Sequence, residues 1–241
     1  MIGMDKARGL VLNDVRCIGV ETAPLLEAVG RALAETVVSP IAVPSSDNSA
    51  MDGIAVRSQD TTEATRGRPV RLTIEGTVKA GDAPTFSVAA GSCLKVMTGA
   101  VIPEDADAVI PKEDVIFDNG FSLVFEPASS GTNIRPAGED LHIGQTVFEP
   151  GEDITPAHVG VLASIGRTQV EVGKRPRISV LVTGSELVEP DEALEPGKVR
   201  NSNGPSLVAA ASLAGARIVR QRLIGDDKDA YKVLLGVQYK F

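Results

Sequence analysis

The sequence predicts a multidomain protein of mixed class: a small helical linking domain, a β-rich domain, and an incomplete parallel α/β domain. Three observations predict this. Helical apolar spacing comes first, period-two alternation then runs between short turns, and a near-continuous β-branched run follows near residue 178. We place the domains at residues 1–44 with 145–174, at 45–144, and at 175–241.

Composition narrows the class further. The 241 residues are 43% apolar and 23% charged, as in folded proteins, and the net charge of −8 is the wrong sign for binding nucleic acid or an anionic membrane. No apolar run is long enough to span a bilayer, and the charged N-terminus does not resemble a secretory signal. We therefore expect a cytoplasmic protein. Cys17 and Cys93 form no CxxC pair, and His142 and His158 have no other zinc-binding residues at ligand spacing in the sequence, so a zinc site is not predicted.

Two helices are predicted in the linking domain. The first has Thr22 as its cap and Pro24 in its first turn, and its apolar residues are Leu25, Leu26, Val29 and Leu33. The second begins with Thr155 as N-cap and Pro156 at the first helical position. It ends at Gly166, after about eleven residues.

The β-rich domain is predicted from short runs separated by Gly, Pro and Asp-Asn-Gly turns. Its strands are expected at Arg71–Val78, Cys93–Met97, Ala108–Ile110, Val115–Phe117 and Phe121–Phe125.

The α/β domain begins at Ile178–Val182, a run typical of a strand buried on both faces. A helix at Pro205–Ala214 and a second strand at Ile218–Leu223 complete one βαβ unit. Asp226-Asp227 then open another helix. Since two parallel strands cannot cover both faces of a sheet, this domain is expected to be incomplete.

Two loops of the β-rich domain are candidate binding segments. SSDNSAMDGIAV (45–56) contains Asp52 in a polar loop, which is either an ordinary turn feeding a strand or a loop whose backbone approaches a ligand. KVMTGAVIPEDADAV (95–109) places Thr98 directly after a strand, where its hydroxyl and nearby amides suit an anion. Lys95 and Lys112 are possible sources of local positive charge, or are solvated surface lysines.

A third loop, GTNIRPAGEDL (131–141), brings Arg135 near Glu139 and Asp140. A surface ion pair is one interpretation. The other is a guanidinium for a phosphate and carboxylates for a divalent ion.

The fourth segment, VTGSEL (182–187), lies at the carboxyl end of the first parallel strand, where open α/β sheets bind ligands. Thr183, Gly184 and Ser185 offer amides and hydroxyls, and Glu186 can hold a cation. Asn201 and Ser202 precede the next helix, where they either seat an anion or simply cap the helix.

Asp52, Asp140, Glu186 and Asp227 together form a carboxylate set suited to Mg²⁺, which is commonly held by a few oxygens and by substrate phosphates.

The sequence motifs of the four segments, taken in chain order, resemble those of the MoeA family of molybdopterin molybdenumtransferases, which includes the gephyrin E domain. The resemblance rests on DNSAMDG (47–53), VMTGA with P-x-x-A-D-A-V (96–109), NIRPAGED (133–140), TPAHVGVLASIG (155–166) and TGSEL (183–187). It implies insertion of molybdenum from molybdate into adenylylated molybdopterin, with Mg²⁺ assistance and release of AMP. The third domain would then be the molybdopterin-binding domain.

The resemblance also implies residue roles. Glu186 and Asp227 would bind metal or orient substrate, Asp52 and Asp140 would share in metal binding or water activation, and Thr98 and Arg135 would contact substrate. It further implies an elongated homodimer in which Thr98 and Glu186 meet across chains, with molybdopterin adenylyltransferase as the pathway partner.

The family's Ser-Gly-Gly loop and its Lys-Pro-Gly-Lys-Pro segment are absent from this sequence. The alternative function is therefore a non-catalytic dimerising or scaffolding fragment.

Overall fold

The computed structural model describes residues 2–13, 15–82 and 87–225. Four α-helices occur in these residues: α1 Met4–Asn13, α2 Leu25–Ala28, α3 Pro156–Ser164 and α4 Asn203–Leu213. The described strands, in chain order, are β1 Val20–Pro24, β2 Val37–Val38, β3 Asn48–Ser49, β4 Gly53–Val56, β5 Val70–Val78, β6 Ser92–Val96, β7 Ala108–Pro111, β8 Val115–Asp118, β9 Phe121–Val124, β10 Ile134–Arg135, β11 Thr146–Phe148, β12 Gln169–Gly173, β13 Arg177–Thr183, β14 Leu187–Val188, β15 Val199–Arg200 and β16 Arg217–Ile224.

The chain divides into two compact units. The β-rich unit comprises residues 36–149 with 163–166, and the linking-α/β unit comprises residues 1–35, 150–162 and 167–241. The fold class, α/β together with a β-rich part, is the predicted one. The division into three domains stays a prediction.

A six-stranded sheet forms the β-rich unit, in the order β7-β4-β6-β5-β9-β8. The β5–β6 pair is parallel and the other pairs are antiparallel. The two outer strands, β7 and β8, are consecutive in the chain and are joined by one 3₁₀ turn at Lys112–Asp114, so the sheet curls back on itself. The five strands predicted here are confirmed to within a residue or so at each end.

Alternating strand residues supply two apolar clusters to this sheet. Ile54, Leu72 and Cys93 belong to one cluster, and Leu94 and Val109 belong to the other; all five are at most 1% exposed. The core that holds the loops of this unit therefore lies on both sides of the curled sheet.

The first predicted helix of the linking domain is confirmed only for one turn, and its predicted start at Thr22 and its length are wrong. Thr22 lies in β1, which pairs antiparallel with β12, and α2 is a single turn that leaves Leu26 82% exposed. The pairing uses backbone groups that a helix would bond internally, and the amide of Leu33 donates instead to the carbonyl of Glu152. The second predicted helix is confirmed as α3, with Gly166 at φ +80° after its end.

The βαβ unit is confirmed within the described residues. Strands β13 and β16 pair in parallel, and α4 connects them. Gly215 follows α4 at φ +85°, as a helix-ending glycine does. The helix predicted to begin at Asp226-Asp227 lies outside the described residues. In the part of the chain that the structure describes, no helix has both the length and the apolar character to cross a membrane.

Candidate functional site

Asp52, Thr98 and Lys112 form one cluster at the edge of the β-rich sheet. Oδ1 of Asp52 accepts hydrogen bonds from the amide and the hydroxyl of Thr98, each at 2.9 Å. Oδ2 accepts one from Nζ of Lys112 at 3.1 Å, and the carbonyl of Asp52 accepts one from the amide of Lys112 at 3.0 Å. Thus Asp52 holds a hydroxyl and an ammonium group together at the solvent edge.

The strand order explains why these three residues meet. Gly53, next to Asp52, is paired with Val96 of β6 on one side and Pro111 of β7 on the other. A Cβ at position 53 would lie 2.0 Å from the carbonyl oxygen of Ile110, so only glycine allows this approach of β4 to β7. Because β4 is antiparallel to both neighbours, the residue before β4 lies beside the residues that follow β6 and β7.

Electrostatics keep the Asp52 carboxylate ionised. The hydrogen bond from the Thr98 amide, followed by the contacts with Lys112 and with the Thr98 hydroxyl, lowers the pKa of Asp52 to about 2. The same contact raises the pKa of Lys112. A carboxylate already satisfied by a cation and two donors is better suited to positioning Thr98 and Lys112 than to removing a proton from water.

The third loop of the β-rich unit lies beside the first two. Arg135 is paired with Asn48 in the β10–β3 ladder, and Oδ1 of Asp47 accepts a hydrogen bond from the amide of Ala137 at 2.7 Å. The amide of Gly99 donates to the carbonyl of Ser49 at 2.8 Å. The strings 47–53, 96–100 and 133–140, predicted separately, are thus assembled into one surface.

Arg135 is occupied by acidic neighbours on this surface. Its Nε donates to Glu139 at 2.6 Å, and its Nη2 donates to both oxygens of Asp140, at 3.1 and 2.9 Å. Glu139 first and then Asp140 raise the pKa of Arg135. The surface ion pair is therefore the arrangement that the structure shows for this loop.

The predicted Gly184 and Ser185 line a cavity of about 630 Å³ at the carboxyl ends of β13 and β16. Sequence reasoning did not select Gln221 and Arg222, which line the same cavity from β16. Their position at the end of the second parallel strand was the available signal. Arg222 gives the cavity a cation suited to a phosphate group, and Glu189 and Glu192 also line it.

Glu186 is exposed, and its carboxylate folds back over Gly184, where a Cβ would lie 2.8 Å from Oε2. Within the described residues, this carboxylate makes no hydrogen bond or ion pair. It is the acidic side chain of the predicted set that is free to take a cation.

Asn201 is 1% exposed and acts first as a helix cap, because its Oδ1 accepts a hydrogen bond from the amide of Gly204 at 2.9 Å. Its buried Nδ2 has no partner among the described residues. Ser202 precedes α4 without a capping side-chain hydrogen bond.

The four predicted metal ligands are not gathered into one group. Over residues 2–13, 15–82 and 87–225, no three His, Cys, Asp or Glu side chains are placed to hold a metal ion. Asp52 and Asp140 are each paired with a cation, and Asp227 lies outside the described residues. Of the set, the contacts leave Glu186 as the described carboxylate that fits Mg²⁺.

A larger cavity, of about 900 Å³, lies in the β-rich unit against β7 and β8. Its walls include Ile110, Val115 and Phe125, and no predicted site residue lines it. It is therefore not part of the candidate site.

A curled β-rich unit with a polar loop surface, joined in the chain to a βαβ unit with a cavity at its strand ends, defines a ligand-binding protein of mixed class. Residues 2–166 match the family described as MoeA N-terminal region (domain I and II). Residues 179–239 match the probable molybdopterin binding domain. The chain belongs to the MoeA family.

Relatives and solved structures agree with this assignment. The chain is 39% identical over 237 residues to molybdopterin molybdenumtransferase 2 of Mycobacterium tuberculosis, covering 98% of this chain and 58% of that protein. It is 35% identical to the molybdopterin molybdenumtransferase of Synechococcus elongatus, covering 90% of this chain and 54% of that protein. The chain thus spans a little over half the length of these curated relatives.

Among solved structures, two crystal structures of the molybdopterin biosynthesis MoeA protein from Pyrococcus horikoshii match the fold. One has a TM-score of 0.88 at 34% identity, covering 96% of this chain and 62% of that chain. The other has a TM-score of 0.82 at 35% identity, covering 98% and 60%. The predicted family and fold class are confirmed.

Proposed function

We propose that this protein acts in molybdenum cofactor biosynthesis as a molybdopterin molybdenumtransferase. In the proposed reaction, molybdate and adenylylated molybdopterin give molybdenum cofactor and AMP. One observation carries the proposal: the chain joins, in order, both family regions of relatives that bear this name, and it is 39% identical to one of them.

The cavity at the carboxyl ends of β13 and β16 is the proposed seat of the adenylylated substrate. Its volume of about 630 Å³ lies within the range of small-molecule sites. Arg222 would pair with a substrate phosphate, while Thr183, Gly184 and Ser185 would offer donors from the loop. The unpartnered Nδ2 of buried Asn201 supports a donor role at this end of the sheet, with Ser202 beside it.

Mg²⁺ is proposed as the assisting ion. The exposed, unpaired carboxylate of Glu186 fits it, since Mg²⁺ is usually held by one or two carboxylates plus substrate phosphates. Asp227 is the proposed second ligand. When bound, the ion would neutralise charge at the phosphoanhydride and so favour departure of AMP. The contacts of Asp52 and Asp140 favour positioning roles for these two carboxylates instead.

The β-rich loop surface is proposed to complete the site across a homodimer. It offers the Thr98 hydroxyl and the Lys112 ammonium group, held together by Asp52, with Arg135 nearby. Met51 and Met97 are 40% and 45% exposed, which favours a surface that another copy covers. The supplier of the substrate would be a molybdopterin adenylyltransferase, because the substrate is already adenylylated.

A second candidate is a dimerising or scaffolding protein without turnover. It is favoured by the exposed Met51 and Met97, because a surface that another copy covers does not itself require turnover. Dimerisation together with substrate binding, but without AMP release, would distinguish it from the transferase.

The test measures AMP by chromatography after incubating the 241-residue chain with molybdate, Mg²⁺ and adenylylated molybdopterin. We expect the parent chain to release AMP and Glu186→Gln to release it at least about tenfold more slowly. The reason is that the variant loses one charge-assisted contact of about 1.5 kcal/mol. The matched control is Glu195→Gln, an exposed glutamate that lies outside the 182–187 segment. Equal turnover by both variants would contradict the role of Glu186. Absence of both AMP release and substrate binding would contradict the proposed function.

A further inference from the structure

A second, strongly basic pocket lies in the linking-α/β unit. It has a volume of about 410 Å³, and every residue that lines it is charged: Glu21, Glu27, Arg31, Lys174, Arg175, Arg177 and Arg217. Five cations against two carboxylates leave three positive charges in excess, in a chain whose net charge is −8. This concentration of positive charge is therefore a local property of the pocket.

Backbone hydrogen bonds fix the segments that carry these cations. The amide of Lys174 donates to the carbonyl of Gly19 at 2.9 Å, just after β12 has paired with β1. The amide of Arg217 donates to the carbonyl of Pro176 at 2.8 Å, where β16 begins beside β13. These backbone hydrogen bonds therefore bring cations from three separate segments of the chain together.

Arg31 forms the buried wall of the pocket. Its side chain is 8% exposed, and its Nη2 donates to Glu21 at 2.5 Å and to the carbonyl of Gly173 at 2.7 Å. Its buried Nε has no acceptor among the described residues. A buried guanidinium with an unused donor costs free energy unless an acceptor is supplied.

Glu27 is the carboxylate of the pocket that remains for the other four cations, and within the described residues it forms no ion pair with them. Lys174, Arg175, Arg177 and Arg217 make no side-chain hydrogen bond or ion pair with any described residue. Like charges brought together in this way repel one another, and an anion bound among them would relieve the repulsion.

We propose that this pocket binds a small polyanion with at least two linked phosphate groups. Arginine is suited to bidentate contacts with phosphate, and several arginines around one pocket match more than one phosphate. The volume of about 410 Å³ fits a small molecule, while the net charge of −8 opposes a nucleic acid or an anionic membrane.

The pocket lies at the opposite end of the sheet from the proposed substrate loop. Arg177 and Arg217 begin β13 and β16, whereas Gly184 follows the end of β13. Seven extended residues separate the two ends by about 20 Å. The inference therefore does not rest on the proposed activity.

The experiment is isothermal titration calorimetry of the 241-residue chain at fixed ionic strength, with pyrophosphate, inorganic phosphate and ADP as probes. We expect saturable binding of one pyrophosphate per chain, tighter than that of inorganic phosphate. Arg175→Gln and Arg217→Gln should each weaken binding about tenfold. Arg220→Gln, an exposed arginine of the same strand outside the pocket, should change it less than about twofold.

The ADP titration distinguishes the source of the phosphates. Tighter binding of ADP than of pyrophosphate that is weakened in Arg217→Gln identifies a nucleotide in this pocket, and equal or weaker binding identifies a diphosphate without a required base. Unsaturable binding of pyrophosphate would overturn the proposal. So would equal weakening in Arg220→Gln and Arg217→Gln, since binding would then follow net charge alone.

Discussion

Replacing Gly53 by alanine should disrupt the sheet edge on which the Asp52 cluster depends. The new Cβ would lie 2.0 Å from the carbonyl oxygen of Ile110 and 3.1 Å from Cα of Pro111, and both are backbone atoms that cannot rotate away. Real contacts of this kind stay above 3.0 Å, so β4 and β7 must separate by about 1 Å.

This separation sets the size of the effect. Overpacking in a buried site costs about 1–3 kcal/mol. The hydrogen bond from the amide of Lys112 to the carbonyl of Asp52 would also weaken, at about 0.5–1.5 kcal/mol. Together we expect a loss of about 2–4 kcal/mol in the free energy of unfolding, which lowers the urea midpoint by about 1–2 M.

Urea denaturation followed by circular dichroism measures this loss. The control is Gly67→Ala in the same unit, where an added Cβ meets nothing within 4 Å. A midpoint for Gly53→Ala equal to that of Gly67→Ala would refute the argument that close approach of β4 to β7 requires glycine.

Two further predictions concern titration and reactivity. Thr98 and Lys112 lower the folded pKa of Asp52 to about 2, so the stabilising contribution of this carboxylate should be complete above about pH 4 and should disappear as the pH falls to 2. The difference in urea midpoint between the parent chain and Asp52→Asn should vanish over the same interval. A difference that stays constant with pH would contradict the assigned contacts. Burial raises the pKa of the Cys93 thiol to about 12, whereas Cys17 is exposed. An aromatic disulfide reagent should therefore label one thiol per native chain and two per unfolded chain. Two labelled thiols in the native chain would contradict the burial of Cys93.

Local chemistry was sufficient to predict the β-rich strands. The Asp118-Asn119-Gly120 turn has positive φ at Asn119 and Gly120, as a two-residue hairpin requires, and the strands on either side follow from period-two alternation. The β-branched run at Ile178–Val182 similarly predicted the first parallel strand. Its predicted burial on both faces is wrong for the described residues: of this run only Val180 is buried and Leu181 is 40% exposed, because β13 pairs with β16 alone.

Pairing between distant segments was not predictable in the same way. Thr22 and Pro24 fit the start of a helix by local preference, but β1 pairs with β12 far along the chain, and this tertiary contact decides the structure. Local propensity is a weak preference that such pairing overrides.

The candidate site shows the same limit. The sequence identified Asp52, Thr98 and Lys112 one by one. Thr98 lies 46 positions and Lys112 lies 60 positions after Asp52 in the chain, and only the strand order β7-β4-β6 brings the three side chains together. The capping role of Asn201 was one of two open interpretations, and the hydrogen bond from Gly204 supports it. Arg222 was missed because its residue type alone does not distinguish it from the other arginines of β16; only its position near the end of the strand does.

The coupling between AMP release and molybdenum insertion tests the central claim most directly. Released AMP and pterin-bound molybdenum are measured in the same reaction, with and without molybdate. The account predicts equal amounts of the two products and no AMP when molybdate is omitted. AMP release that is independent of molybdate, or pterin-bound molybdenum without AMP, would contradict it.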